Sequence, residues 1–432
     1  MRTALPTAAL ASIDARLAET DRLLATEYPG DDGSRQPVHT VYVPGDAFTP
    51  GLVSVWGAAA LAESASAGGV EALAVDVGVA PEVAAAVAPF VERKLEREPI
   101  EDLRIDFEDG YGDRGDDAED ADVLRAVRHV AEAAADGVAP PFVGIRFKSF
   151  EAATRGRGIR SLDLFVTALV DRGDLPDGLA LTLPKVSTLA QVEAMADAAA
   201  ALERAHGLPD GRLRFEVQVE TPQVVLGPDG RVPIARIAHA GAGRVAGLHF
   251  GTYDYTAAIG IAAPHQSLDH PAADHAKAVM QLAVAGTGIR LSDGSSNVLP
   301  VGDRAGEARR RHARLVRRSL ERGFAQGWDL HAAQLPTRYI ATYAYFRDGY
   351  PGAAARLRHV HDRTAGAVLD EPATVRALAG FVRRGVQCGA ITAEEVAAGT
   401  GLDPAKLADL ERPRLTDRPR PATGWRTHEE DA

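Results

Sequence analysis

RFEVQVET (214–221) and, one crossover later, VAGLHFGTYD (245–254) decide the fold. Both runs are short, rich in β-branched and aromatic residues, and end on a carboxylate: Glu220 in the first, Asp254 in the second. A short run rich in such residues and acidic near its C-terminal end reads as a strand opening onto a polar rim. Six more runs of this kind flank the pair. They are VHTVYVP (38–44), LRIDFED (103–109), FVGIRF (142–147), LALTLPKV (179–186), GIRLSDG (288–294) and GWDLH (327–331). Between them lie Ala-rich amphipathic stretches such as DVLRAVRHVAEAAADG (122–137) and LAQVEAMADAAAALERAHG (189–207), the latter with a Gly just past its helical pattern. Strand–helix alternation implies parallel strands joined by helical crossovers. Eight such units favour a closed (β/α)8 barrel of the α/β class over an open doubly wound sheet.

The expected layout follows. Residues 1–335 form the catalytic barrel domain, with an N-terminal helix and the barrel proper over about 38–335. The segment 53–100 is longer than one crossover needs and marks an insertion after the first strand. Residues 336–411 read as a C-terminal helical extension, a lid or an oligomer contact. The Pro-rich, charged tail 412–432 reads as flexible.

Bulk properties narrow the function. Of 432 residues, 46% are hydrophobic and 25% charged, ordinary for a globular chain with a large core. Lys plus Arg total 48 and Asp plus Glu total 60, a net charge of −12. That balance argues against nucleic acid as a partner. The single cysteine, Cys388, excludes an intrachain disulfide and a Cys-based zinc site, and it fits a cytoplasmic protein. The start, MRTALPTAALASIDARLAET, is broken by Asp14, Arg16 and Glu19 and reads as a helix, not a targeting segment. No run reaches the length of a membrane span, so no membrane partner is expected.

The polar residues fall where barrel active sites lie, at strand C-termini. The second strand ends in Asp106, Glu108 and Asp109, and the third carries Arg146 and Lys148. Lys185 follows the fourth, Glu220 and Asp254 the fifth and sixth, Asp293 the seventh and His331 the eighth. One such residue is an ordinary solvated strand end or cap. Acids on four strands, with Arg146 and Lys185 between them, would repel one another unless a metal or cations kept them ionised. Oxygen ligands without Cys or clustered His suit Mg2+ or Mn2+. Other patterns carry less. GAGRVAG (241–247) precedes a strand and is a turn. GDRGDDAED (112–120) lacks calcium-loop spacing. RGRGIR (155–160) is a basic cluster that a CoA phosphate or plain solvent would satisfy equally.

Several of these stretches resemble a known family. VYVPGD (41–46), IDFEDG (105–110), LPKV (183–186), VETP (219–222), FGTYDYTAAIG (250–260) and GFAQGWDLHAAQ (323–334) resemble, in order, the strand ends of the citrate lyase beta-subunit family within the HpcH/HpaI aldolases. Ala332 stands where that family usually has Pro. RSLDLFVTALVD (160–171), LERAHGLPDGRLRFEVQVET (202–221) and AGLHFGTYDY (246–255) look like matching stretches of malate synthase. The resemblance implies Glu220 and Asp254 as metal ligands and Arg146 as the cation that neutralises an enolate oxygen. It implies Asp106 and Glu108 as acids that orient that arginine or metal-bound water, and Gly251 and Thr252 as the turn receiving a substrate carboxylate. It also implies a homo-oligomer.

The expected chemistry is therefore Mg2+-dependent lyase or aldolase cleavage, or formation, of a bond alpha to a carbonyl. The small-molecule substrate would be a 2-oxo acid, a hydroxy acid or a 3-hydroxyacyl-CoA, the last making a CoA thioester the substrate. Lys185 and Arg146 would bind substrate, and Asp293 and His331 are candidates for the proton-moving base. A malate-synthase-like condensation of acetyl-CoA with a 2-oxo acid, and a non-catalytic metabolite-binding barrel, are the alternatives.

Overall fold

The computed structural model describes residues 4–173, 175–362 and 371–411. The tail assigned above to 412–432 lies outside them. Eight parallel strands close into one barrel in sequence order, the first pairing with both the second and the eighth. The strands are β1 (His39–Pro44), β2 (Asp102–Asp106), β3 (Phe142–Arg146) and β4 (Leu179–Leu183). They continue with β5 (Phe215–Val219), β6 (Val245–Phe250), β7 (Arg290–Ser295) and β8 (Gln326–Asp329). Each of the eight runs read as strands contributes one. The insertion after β1 is three helices, Leu52–Ser66, Val70–Asp76 and Pro81–Arg97.

Strand alternation sorts the side chains. In β5, Phe215, Val217 and Val219 belong to the buried apolar layer, while Glu216 and Gln218 carry polar groups on the other face. The helix Leu189–His206 shows how the outer layer is built. Thr188 and Gln191 form a capping box at its start, Gly207 closes it in the left-handed conformation (φ 65°), and Val192, Met195, Ala196 and Ala199 are its buried face.

One polar knot ties strand to helix on the flank of the barrel. Asp329 accepts from Arg338 Nε (3.0 Å) and Nη2 (2.9 Å), and it meets His39 Nδ1 at 2.8 Å and His312 Nε2 at 3.0 Å, with all four residues buried. The charge of Arg338 and these ring contacts overcome burial and hold Asp329 well below the usual carboxylate range.

The chain divides into two compact units, Met1–Thr342 and Tyr343–Ala432, with the boundary inside the long helix Leu335–Asp362. In the second unit the helix Ala393–Thr400 begins with a capping box between Thr392 and Glu395, and Tyr343 donates to the Cys388 carbonyl (2.8 Å). No helix among the described residues is long and apolar enough to cross a membrane.

Candidate active site

The register of β2 against β3 sets Asp106 opposite Arg146. Arg146 donates from Nε to Asp106 Oδ1 (2.7 Å) and from Nη2 to Oδ2 (2.6 Å), a planar fork on a planar carboxylate. Asp106 is saturated by two more donors, the backbone N–H of Glu108 (3.0 Å) and of Gly110 (2.8 Å). The third guanidinium nitrogen, Nη1, lies 3.5 Å from Glu108 Oε2. The Tyr42 ring lies 4.8 Å from the guanidinium carbon, a cation–π contact, and its hydroxyl accepts from Gln218 Nε2 (3.2 Å). Burial raises the Glu108 carboxyl above its usual range despite the opposing charges of Arg146 and Lys185.

Lys185 follows β4 with φ 51°, a left-handed conformation uncommon for a residue with a side chain. That turn does two things. It aims the Lys185 backbone N–H at Glu220 Oε1 (2.7 Å), and it carries the ammonium to Glu108 Oε1 (2.6 Å), Asp109 Oδ2 (2.8 Å) and, farther off, Asp254 Oδ2 (3.8 Å). Burial works against the charged amine, but Glu108 and Glu220 outweigh it and keep Lys185 firmly protonated.

Glu220 is buried just past β5, and Asp254 is half-exposed in the first turn of the helix Thr252–Ala258. Burial pushes the Glu220 carboxyl up to about 8; Asp254 adds to the rise, and Lys185 and Arg146 oppose it. Glu220 fits only because residue 251 is glycine: a Cβ there would lie 2.3 Å from Glu220 Cβ and 2.4 Å from Oε2. Among the described residues no group of three or more His, Cys, Asp or Glu is gathered as a ligand set. The two-carboxylate donor set suits a hard ion that keeps several positions for water and substrate, as Mg2+ does. A buried carboxylate with a raised pKa beside a second one is a place where a divalent cation is electrostatically favoured. By these criteria the residues fit the metal.

Arg146, Asp106, Glu108, Lys185, Glu220 and Asp254 are thus linked in one cluster, with Gly251 against it. Thr252 is buried, and its Oγ1 has no hydrogen-bond partner among the described residues. Two candidates from sequence make none of these contacts. Asp293 does not join the cluster. It is buried against the helices Pro271–Val284 and Ala305–Glu321, where it accepts from Lys277 Nζ (2.9 Å) and Ser319 Oγ (2.6 Å). The expectation that Asp293 lines the site as a base is corrected by this placement: its side chain points between those two helices and touches none of the clustered residues. His331 is exposed, and its Nδ1 accepts the Ala333 N–H (3.1 Å), which makes it a cap for a 3-10 turn. Lys148 pairs with Glu119 (2.6 Å), and the basic run 155–160 is drawn to Asp120, which takes Arg157 and Arg160.

Sequence reading missed the polar stack within the barrel. Arg104 donates to Glu216 Oε2 (2.6 Å), Asp102 Oδ2 (3.1 Å) and Thr182 Oγ1 (2.9 Å), while His249 sits between Glu216 (3.2 Å) and the Trp328 indole N–H (3.2 Å). The signal was present: Asp102, Arg104 and Asp106 alternate along β2, so they share one face.

Comparison with known proteins agrees with the motif resemblance. A family model described as "Domain of unknown function (DUF6986)" matches residues 17–415. A 156-residue segment is 31% identical to the L-malyl-CoA/beta-methylmalyl-CoA lyase of Haloarcula marismortui, covering 36% of this chain and 41% of that protein. The chain therefore spans less than half the length of that curated relative. A citrate lyase structure from Burkholderia xenovorans LB400 superposes with a TM-score of 0.51 at 22% identity, covering 71% of this chain and 90% of the other. A malate synthase structure from Haloferax volcanii, a lead(II) complex, gives a TM-score of 0.48 at 13% identity, covering 82% of this chain and 90% of that one.

Proposed function

The chain belongs to the DUF6986 family, and from that premise we propose that it is a Mg2+-dependent carbon–carbon lyase that cleaves a 3-hydroxyacyl-CoA through an enolate. The observation that carries this reading is the Glu220–Asp254 carboxylate pair set beside the forked Arg146. The segment shared with a malyl-CoA lyase supports a CoA thioester as the substrate class.

Glu220 and Asp254 would hold the ion, which when bound supplies Lewis-acid stabilisation of negative charge on substrate oxygen. The chain's own groups do the rest. A base takes the proton of the 3-hydroxyl, the bond between C2 and C3 breaks, and its electron pair moves onto the acyl carbonyl oxygen. The hydroxyl carbon leaves as an aldehyde or keto acid. Arg146 neutralises the enolate oxygen through Nη1, because Asp106 occupies Nε and Nη2 and fixes the plane of the fork. C2 then takes a proton to give the shorter acyl-CoA. Glu108, buried, raised in pKa and in contact with Lys185, is the group we assign to moving these protons.

The test is an assay with Mg2+ and L-malyl-CoA, following glyoxylate as its phenylhydrazone. Cleavage that stops on chelation supports the proposal. Inertness toward malyl-CoA, together with release of free CoA thiol from acetyl-CoA plus glyoxylate, would instead establish the synthase chemistry.

A further inference from the structure

The N-terminal helix Thr7–Glu27 buries none of its residues. Ala9, Leu10 and Glu27 are half-buried, and every position from 11 to 26 is exposed, so this middle stretch buries no face against the rest of the described residues. Most helical stability in proteins comes from packing one face against something else. The face is present. Leu10, Ile13, Leu17, Thr20 and Leu24 are spaced by three and four residues in turn, the a and d positions of a heptad repeat. Ile13 is 47% exposed, Leu17 47% and Leu24 46%. A mostly apolar seam exposed over two heptads needs an occupant.

The charges beside the seam select it. With Leu10, Leu17 and Leu24 at a, Arg16 falls at g and Asp21 at e of the next heptad. That offset of five residues is the one at which side chains meet across a parallel two-stranded coil. Two-fold symmetry would make the Arg16–Asp21 contact twice, once on each side of the Leu17–Thr20 layer. Antiparallel pairing would instead set the acidic e positions, Asp14 and Asp21, against each other. Neither Arg16 nor Asp21 is engaged in an ion pair among the described residues. We propose that this helix pairs in parallel, in register, with the same helix of a second copy of the chain. This pairing is independent of the proposed chemistry.

Sedimentation equilibrium of the full chain over a range of concentrations tests it. Reversible dimerisation is expected, with Leu17→Glu weakening the association constant at least tenfold at an unchanged melting temperature. Arg16→Asp should weaken association at low salt, and the double variant Arg16→Asp/Asp21→Arg should restore it. Ile13→Cys should give a disulfide-linked dimer in a mild glutathione buffer, since in parallel register residue 13 meets its own counterpart; the native Cys388 is buried. A chain that stays monomeric, a dimer indifferent to Leu17→Glu, a double charge variant no better than the single one, or no Ile13→Cys cross-link would each overturn the proposal.

Discussion

Arg146 and Asp106, on neighbouring strands, meet through two parallel hydrogen bonds of 2.7 and 2.6 Å, which leave one guanidinium nitrogen free of Asp106. The pairing converts a flexible side chain into a fixed donor. Arg146→Lys keeps the charge but loses the fork. Turnover of the CoA substrate is expected to fall about 100- to 1,000-fold, as when one preorganised donor is removed from an anion-stabilising site. Asp106→Asn should cost less, because the fork keeps one of its acceptors. Steady-state kcat for both variants checks the order; an Arg146→Lys enzyme within a few-fold of wild type removes Arg146 from the mechanism.

Glu220→Gln and Asp254→Asn are expected to abolish Mg2+ binding measured by titration calorimetry while leaving the circular dichroism spectrum unchanged. Retained binding in either variant counts against the two-carboxylate site. Gly251→Ala should produce the same loss by displacement, because the added methyl would sit 2.3 Å from Glu220 Cβ.

The raised pKa of Glu220 has a definite sign in stability. Its folded value, about 8, lies above the ordinary 4.5, so its contribution is full below the ordinary value and is lost as pH rises through about 8. The metal-free protein should therefore lose melting temperature from about pH 6 to about pH 9 relative to Glu220→Gln, and Mg2+ should recover more of it at the alkaline end. Parallel melting curves of the two proteins across that range would contradict the burial of an ionisable Glu220.

His312 works in the opposite direction. Burial lowers its pKa below 6.5 although Asp329 opposes the shift; Arg338 and His39 add to it, and Thr337 hydrogen-bonds its Nδ1 at 2.8 Å. The unfolded chain takes up this proton before the folded one does, so stability is full above 6.5 and falls as the medium is acidified toward the folded value. Differential scanning calorimetry from about pH 8 to about pH 5 should show a shallower slope for His312→Gln.

Asp293→Asn separates a structural role from a catalytic one. Removing the nearer of the two carboxylates of the buried Lys277 ammonium should cost stability, by less than the about 3–5 kcal/mol of a fully unpaired buried charge because Asp274 stays 3.7 Å away. The surviving folded enzyme should keep near-normal kcat. A stable variant with kcat collapsed would return Asp293 to the list of bases.

Much of this was legible in the chain. The runs 214–221 and 245–254 announced strands with acids at their ends, and eight such runs favoured a closed barrel over an open sheet, because alternation and helical periodicity are local properties of the sequence. The motif around Arg146 and the carboxylates at 106, 108, 220 and 254 was legible for the same reason: strand ends ring one mouth. What the sequence did not contain was direction. Asp293 and Glu220 both read from sequence as acids at strand ends, though Asp293 lies within β7 and Glu220 just past β5. Yet Glu220 joins the mouth cluster while Asp293 turns to Lys277 and Ser319, and only strand register and the packing of two distant helices decide between them. The same holds for Lys185, whose left-handed backbone joins Glu220 to Glu108, and for Tyr42, whose ring supports Arg146 from another strand. Residue types and their periods are written along the chain; the pairing of charges far apart in sequence exists only once the barrel has closed and burial has made each unpaired charge costly.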